Sequence, residues 1–397
     1  MLVEKPFCVG CGSCSMICPK QCITMDEDKE GFLYPNIDHK KCISCGACEK
    51  ACPLLRKSFK STFNTKSYAA QNKNDKIRKN SSSGGVFYSL ALAIIKQGGA
   101  ICAAKYSENF EVVHSIATTK NEIWDYCGSK YAQSRMGSCF IKIKQFLSQG
   151  RKVLFVGTPC QVAGLQTFLK HSYDNLLLVD VICHGVPSPA VWKNYLEERK
   201  QVDADGSEII GVNLRDKSTG WSNYSYSVRY EYQNGKVHSG QQDSDRFMQG
   251  FISNLYLRPS CSNCKFKGIE RGSDITMGDY WGVWHHYPEF DDDKGTSLVM
   301  IHSEKGLKLW ESVIDEFNVL EINNEQAVQY NPSALESSYA ASRRNDFFRH
   351  LQRNQGKEVS TLIQFYLQKK DKRIKSIVHR ILSGIISCLA KGDSDGR

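Results

Sequence analysis

The sequence predicts a small cysteine-rich α+β module followed by a larger α/β domain. Three observations carry this. Nine of the 17 cysteines fall before residue 53. From Tyr68 onward, short apolar runs of strand length alternate with helical spacing. Between the two lies a polar stretch, Lys57 to Lys66, rich in Ser, Thr and Asn, that reads as a linker. The resulting boundaries are residues 1–57, 67–330 and a helical extension over 331–397. A chain of 397 residues has room for two or three such cores.

In the module, Cys8, Cys11, Cys14 and Cys18 precede Pro19, giving C-x2-C-x2-C-x3-C-P. Cys42, Cys45, Cys48 and Cys52 precede Pro53 and repeat the pattern. Two-residue gaps let one loop wrap three thiolates around a cubane corner, and the fourth cysteine reaches the other cluster. The spacing therefore predicts two [4Fe–4S] clusters, one on Cys8, Cys11, Cys14 and Cys52, the other on Cys18, Cys42, Cys45 and Cys48. Gly12 and Gly46 let the loops fold closely around sulfide. A pair of zinc sites would show two C-x2-C pairs with a long spacer and no terminal Pro. Cys22 lies outside the pattern and reads as a small buried apolar residue. The module resembles bacterial-type dicluster ferredoxins over about one seventh of the chain.

Composition agrees with a reducing, cytoplasmic setting. Hydrophobic residues make up 41% and charged residues 24%, an ordinary globular balance. No apolar leader precedes the first cysteines, and the longest apolar run, Val86 to Ile95, is far short of a bilayer span. Cysteines clustered in this way indicate metal rather than a disulfide scaffold. The net charge of +10 counts every thiol as neutral. Three clusters at about −2 each would reduce it to about +4, which removes the case for a nucleic-acid partner.

In the main domain, Ser81 to Gly85 precedes a helix expected over Val86 to Gln97. Strands follow at Ala100 to Tyr106 and Val112 to Thr118, then a helix from Met136 to Gln149. Lys152 to Val156 and Leu176 to Ile182 suit buried strands, with a helix from Gln161 to Leu169 between them. Ile209 to Leu214 and Tyr224 to Tyr232 read as further strands, the second alternating.

Four more cysteines occupy unusual contexts. Cys160 lies at a strand-to-helix turn, Cys183 directly after a strand, and Cys261 and Cys264 form C-x2-C. Strand ends in an α/β fold gather on one edge, where sites are built. Four thiolates there would hold another cluster. Spacing alone leaves open that Cys160 and Cys183 are buried apolar residues, and that Cys261 and Cys264 bind zinc or nothing.

Several stretches resemble the beta subunit family of coenzyme F420 hydrogenase/dehydrogenase. They are Ser82-Ser83-Gly84-Gly85, Gly128-Ser129-Lys130-Tyr131, Gly157-Thr158-Pro159-Cys160-Gln161, Cys183-His184-Gly185, Cys261-x2-Cys264 and Ser273 to Gly282. They run in family order from about Tyr68 to about Gly306. The resemblance implies an FAD-containing iron–sulfur flavoprotein with a third [4Fe–4S] cluster, carried here to Cys160, Cys183, Cys261 and Cys264. It also implies FAD near Ser82, Ser83, Gly84 and Gly85, with Lys130, Tyr131, Gln133 and Ser134 as further contacts. Read without the resemblance, Ser81 to Gly85 is an anion cradle at a helix N-terminus or a simple cap. Lys130 either favours an anionic reduced flavin or is a surface lysine. Asp279 either orients a ligand or a neighbouring group, with Trp281 stacked on a ring, or the two belong to a tight turn holding a buried Trp. His184 either tunes a neighbouring cluster or is structural, and His285 and His286 show no ligand spacing.

Apolar residues from Ile374 to Leu389 recur at helical spacing beside Lys369, Lys370, Lys372, Arg373, Lys375 and Arg380. The 369–391 segment therefore either packs on protein or touches an anionic membrane surface peripherally. Two functions remain. One is a flavin-dependent oxidoreductase acting on a small-molecule substrate, with ferredoxin or a similar protein as electron donor or acceptor. The other is an electron-transfer subunit that reduces a partner protein. Deazaflavin is the family's namesake substrate, while a role in bacterial polysaccharide biosynthesis is suggested only by the setting of some members.

Overall fold

Residues 2–56, 61–353 and 358–368 are described by a computed structural model. The basic amphipathic segment over 369–391 lies outside these residues. The strands are β1 Ile23–Glu27, β2 Leu33–Ile37, β3 Lys66–Asn72, β4 Ala100–Tyr106, β5 Val112–Ala117, β6 Val153–Gly157 and β7 Leu176–Val181. They continue as β8 Ile209–Asp216, β9 Ser227–Tyr232, β10 Val237–Gln241, β11 Ile275–Asp279, β12 Ser297–Ile301 and β13 Phe317–Ile322.

Among the described residues these form three sheets. The central one has the order β13-β3-β12-β11-β7-β6-β4-β5. Its inner strands β11, β7, β6 and β4 are parallel neighbours, and the remaining pairings are antiparallel. Parallel strands are covered on both faces, so β6 and β7 are buried almost throughout and read as unbroken apolar runs. β8, β9 and β10 make a separate antiparallel sheet, and β1 and β2 form the hairpin of the N-terminal module.

Two expected elements start later than their periodicity suggests. The helix expected from Met136 is Cys139–Ser148, because Gly137 turns left-handed (φ 52°) just before it. The strand expected from Tyr224 begins at Ser227, because Asn223 and Tyr224 both have positive φ. Strands β3, β11, β12 and β13 and the Pro189–Ala204 helix have no counterpart in the sequence reading.

The module does not stand apart. Cys8, Phe32 and Tyr34 share one apolar core with Trp192 and Tyr195, with β9, and with Phe347 and Phe348 of the Arg344–Arg353 helix. Each fully buried ring of this size contributes about 1.5–3 kcal/mol. Arg258 pins the joint. Its side chain is 1% exposed and donates from Nε to Cys8 O (2.7 Å), from one terminal nitrogen to Gln133 Oε1 (2.6 Å) and from the other to Leu33 O (2.9 Å). The guanidinium also lies 4.2 Å from the centre of the Tyr34 ring. These carbonyl and aromatic contacts replace the water that the cation has lost.

Arg258→Met keeps much of the packing but leaves the three acceptors unpaired. Thermal unfolding should show a loss of about 3 kcal/mol, with the N-terminal module becoming protease-sensitive first. A melting temperature within about 1 °C of the parent would show that Arg258 does not hold the joint.

Candidate functional site

The carboxyl ends of β6, β7 and β11 lie on one edge of the sheet, since Gly157 pairs with Asp180 and Met277 with Val181. After β6, Thr158 and Gln161 form a capping box that starts the Pro159–Leu169 helix and fixes Cys160 in its first turn. Cys183 follows β7. Cys261 lies in the Pro259–Asn263 turn with Cys264 immediately after it. The four thiols are brought within electrostatic reach of one another. Burial pushes Cys183 and Cys261 up to about 12, with Cys264 adding to both. Burial also raises Cys160, with Cys264, Cys183 and Cys11 adding to the rise. The Val186 N–H points at Cys261 Sγ (3.4 Å), and Lys267 Nζ donates to Cys183 O beside the set.

In the module, Cys8, Cys11, Cys14 and Cys52 come together. Burial lifts Cys11 to about 11, with Cys8 and Cys52 adding to it, and burial likewise raises Cys14, with Cys11, Cys8 and Cys52 adding to the rise. Cys48 lies near Cys18. Cys42 receives the Ser44 N–H (3.5 Å), and Cys45 is exposed at the loop tip. Gly12 and Gly46 have φ of 77° and 68°, a turn that favours glycine and opens each short helix behind its loop.

Cys22 is buried, as its place outside the pattern implies, and its Sγ lies 3.4 Å from that of Cys18 and within electrostatic reach of Cys42, so it also abuts two of the candidate ligands.

One helix links the module to the inner set. Gly164 lies one turn beyond Cys160, and a Cβ there would stand 2.9 Å from Cys11 Cβ. Ser13 Oγ donates to Gly164 O (2.8 Å). The loop carrying Cys11 thus rests directly on the helix whose first turn holds Cys160.

The residue types fit iron–sulfur clusters. Each set offers soft thiols, and in the two sheltered sets burial disfavours free thiolates unless iron neutralises them. Among the described residues, no three His, Cys, Asp or Glu side chains are grouped to hold a single metal ion.

The Ser81–Gly85 loop lies on the same sheet edge, with Asn72 N bonded to Gly84 O (2.8 Å). Its polar groups are partly engaged by protein. Ser82 Oγ accepts from Ser129 N (2.7 Å), Ser83 Oγ donates to Thr296 O (2.6 Å), and Gly84 N donates to Ser297 Oγ (2.9 Å). The Val86–Lys96 helix behind Gly85 has no side-chain cap. Lys130 is half-buried, donates to Cys127 O (2.8 Å) and is pulled down to about 8 by burial.

The structure separates the remaining flavin candidates from this loop. Gln133 donates to Val9 O (3.1 Å) and accepts from Arg258, so it faces the module. Ser134 is buried between His114 Nδ1 (2.9 Å) and Gln161 Nε2 (2.8 Å). His184 has both ring nitrogens engaged, by Asn254 (2.6 Å) and Ser333 (3.3 Å).

Arg215, absent from the sequence reading, is the centre of this edge. Buried at the end of β8, it forms a two-pronged ion pair with Asp279 (2.8 and 3.0 Å) and bonds Tyr131 Oη (3.2 Å) and Ser82 O (3.3 Å). Its guanidinium lies 4.1 Å from the centre of the Tyr226 ring and 5.0 Å from that of Trp281. Trp281 is half-buried and stacks on Trp221 at 4.7 Å. Arg215 Nε and Trp284 Nε1 are buried without a protein partner. The strand pattern of Ile209 to Leu214 announces β8, but Asp279 is too distant in sequence to mark the next residue as inward-facing.

A cavity of about 420 Å³ lies elsewhere, at the joint between module and main domain, lined by Lys5, Tyr34, Asn254, Arg258, Ser262 and Arg344 among others. No helix among the described residues is long and apolar enough to cross a membrane.

The chain matches three family descriptions in sequence order. Residues 7–54 match a 4Fe-4S dicluster domain. Residues 67–140 match the N-terminal part of the coenzyme F420 hydrogenase/dehydrogenase beta subunit, and residues 150–327 match its C terminus. No curated protein matches. Among solved structures, the F420-reducing [NiFe] hydrogenase complex from Methanosarcina barkeri is similar at 16% identity and a TM-score of 0.45, over 80% of this chain and 93% of that one.

Cys160→Ser or Cys264→Ser should lower iron in anaerobically purified protein by about 4 atoms per chain, leaving the module's about 8 in place. Unchanged iron in both variants would reject the inner site.

Proposed function

Because the chain belongs to the coenzyme F420 hydrogenase/dehydrogenase beta subunit family and carries a 4Fe-4S dicluster domain, we propose that it is an iron–sulfur flavoprotein that moves electrons between its N-terminal module and a flavin on the carboxyl edge of the main sheet. The observation that carries this reading is the seating of the Cys11 loop on the helix whose first turn holds Cys160. It sets two thiol quartets side by side, with the third in the exposed half of the module. When bound, the clusters supply one-electron steps, and FAD couples them to a two-electron or hydride step.

The residues supply position and charge. Ser82, Ser83, Gly84 and Gly85 lie before an uncapped helix N-terminus, where free N–H groups suit a pyrophosphate. Arg215 and Tyr131 fit the ring end, a buried cation with one N–H unpartnered and a phenol bonded to it beside half-buried Trp281. Lys130, held at Cys127 O, would add positive charge. The Asp279 carboxylate keeps the Arg215 guanidinium in place and partly balances it. Gln133 and Ser134 act one layer back, holding the module joint and the capping-box glutamine.

A second reading, an electron-transfer subunit serving a partner protein, is favoured by apolar Ile43 (58% exposed), which lies between Cys42 and Cys45 in the outer loop.

Anaerobic purification should give about 12 Fe and one releasable FAD per chain. Arg215→Gln should reduce retained FAD several-fold while leaving iron unchanged. Full iron with no flavin in the parent protein would leave only the electron-transfer subunit.

A further inference from the structure

We infer that the outer face of the N-terminal module, formed by the loops around Cys18 and from Cys42 to Cys48, is a docking site for an acidic protein that carries one electron at a time. The inference rests on the electron-transfer reading above and names the partner of that site.

The two halves of the module differ sharply in exposure. Cys8, Cys11 and Cys52 are buried against the main domain. In the other half Asp38, His39, Lys40, Lys41, Ile43, Ser44 and Cys45 are all exposed. The repeated cysteine pattern makes the two loops chemically alike, so the difference comes from packing. One loop is seated on Gly164, while its counterpart faces outward among the described residues. Electron tunnelling needs close approach, and the thiol set that a second protein can approach is the outer one.

The rim selects the partner. The loops flanking these thiols carry Lys20, Lys40, Lys41, Lys50 and Arg56, all exposed, against Asp38 and Glu49. The surplus of three cations exceeds the about −2 of a bound cluster. The acid at Asp38 is already paired with Lys41 (3.6 Å). Within this rim, exposed Ile43 offers a small apolar contact of the kind that electron-transfer encounters use. Complementary charge steers such encounters, raising association rates by about 10–1,000-fold at low salt. One electron leaves the carrier and one is taken up by the chain at each encounter, without proton transfer or bond change.

The test uses the anaerobic holoprotein and a reduced acidic dicluster ferredoxin as probe, in stopped flow. Lys40→Glu combined with Lys50→Glu should lower the second-order rate about tenfold or more at low ionic strength, and the difference should shrink as salt rises. Lys40→Arg with Lys50→Arg should keep the parent rate. Iron content and reduction by titanium(III) citrate should match in all three proteins. Equal ferredoxin rates in the Glu variant and the parent, with titanium reduction intact, would overturn the docking site and leave the electron-transfer reading standing. Failure of titanium to reduce even the parent would overturn both. A dimer of the parent that the Glu substitutions dissociate would assign the face to a second copy of this chain and overturn the inference.

Discussion

The architecture depends on one close contact, the seat of the Cys11 loop on the Pro159–Leu169 helix. A glycine at position 164 lets the loop approach until a single added methyl would collide with Cys11. Because Cys160 lies one turn earlier on that helix, the spacing between module and main domain is set by a rigid element and not by a linker. Arg258 acts on the same joint from the other side, reaching Cys8, Gln133 and Leu33 at once. A buried guanidinium held by carbonyls and aromatic faces is costly to displace, since each of its donors would have to find water or another partner.

From that seat follows an ordering of environments. The inner thiols lie at strand ends in a region dry enough to raise Cys160, Cys183 and Cys261. Negative charge placed there is met by fixed positive groups, with Lys267 at the Cys183 carbonyl and Arg258 at the Cys8 carbonyl. On the neighbouring part of the edge, buried Arg215 and half-buried Asp279 form an ion pair whose partners come from β8, β11 and the two loops around Ser82 and Tyr131. Such a pair favours one arrangement of four segments over looser alternatives, because separating it would leave a bare charge in a poor solvent. The outer half of the module, by contrast, remains in contact with water.

Parts of this were readable residue by residue. β4 has the bounds its apolar run implies, and β6 and β7 differ by only a residue at either end, because strands buried on both faces carry their signal locally. Strands β11 and β13 carry half-buried positions and are defined by their pairing, whereas β12 is buried throughout and carries a local signal that the apolar-run reading passed over. Ser82 and Tyr131 converge on Arg215, whereas Lys130 turns back to Cys127 O, and Gln133 and Ser134, only a few residues on, turn toward the module and the core. A loop motif specifies proximity in sequence, and a reversal of side-chain direction after Ala132 separates neighbours that share the motif.

What the sequence determined by itself is the chemistry available: two interleaved thiol quartets, a third set at strand ends, and an α/β frame whose carboxyl edge gathers loops. For the two N-terminal quartets and the strands, spacing within a few residues is enough, because ligand geometry and strand burial are short-range constraints, whereas Cys160, Cys183, Cys261 and Cys264 become one set only through the fold. What only the tertiary structure decided is which quartet is sheltered and which meets solvent, that Cys22 abuts Cys18, and that Arg215 pairs with Asp279 64 residues away. Those outcomes arise from long-range packing, where the desolvation of a charge or the van der Waals radius of a missing methyl selects one arrangement, and no local pattern encodes that choice.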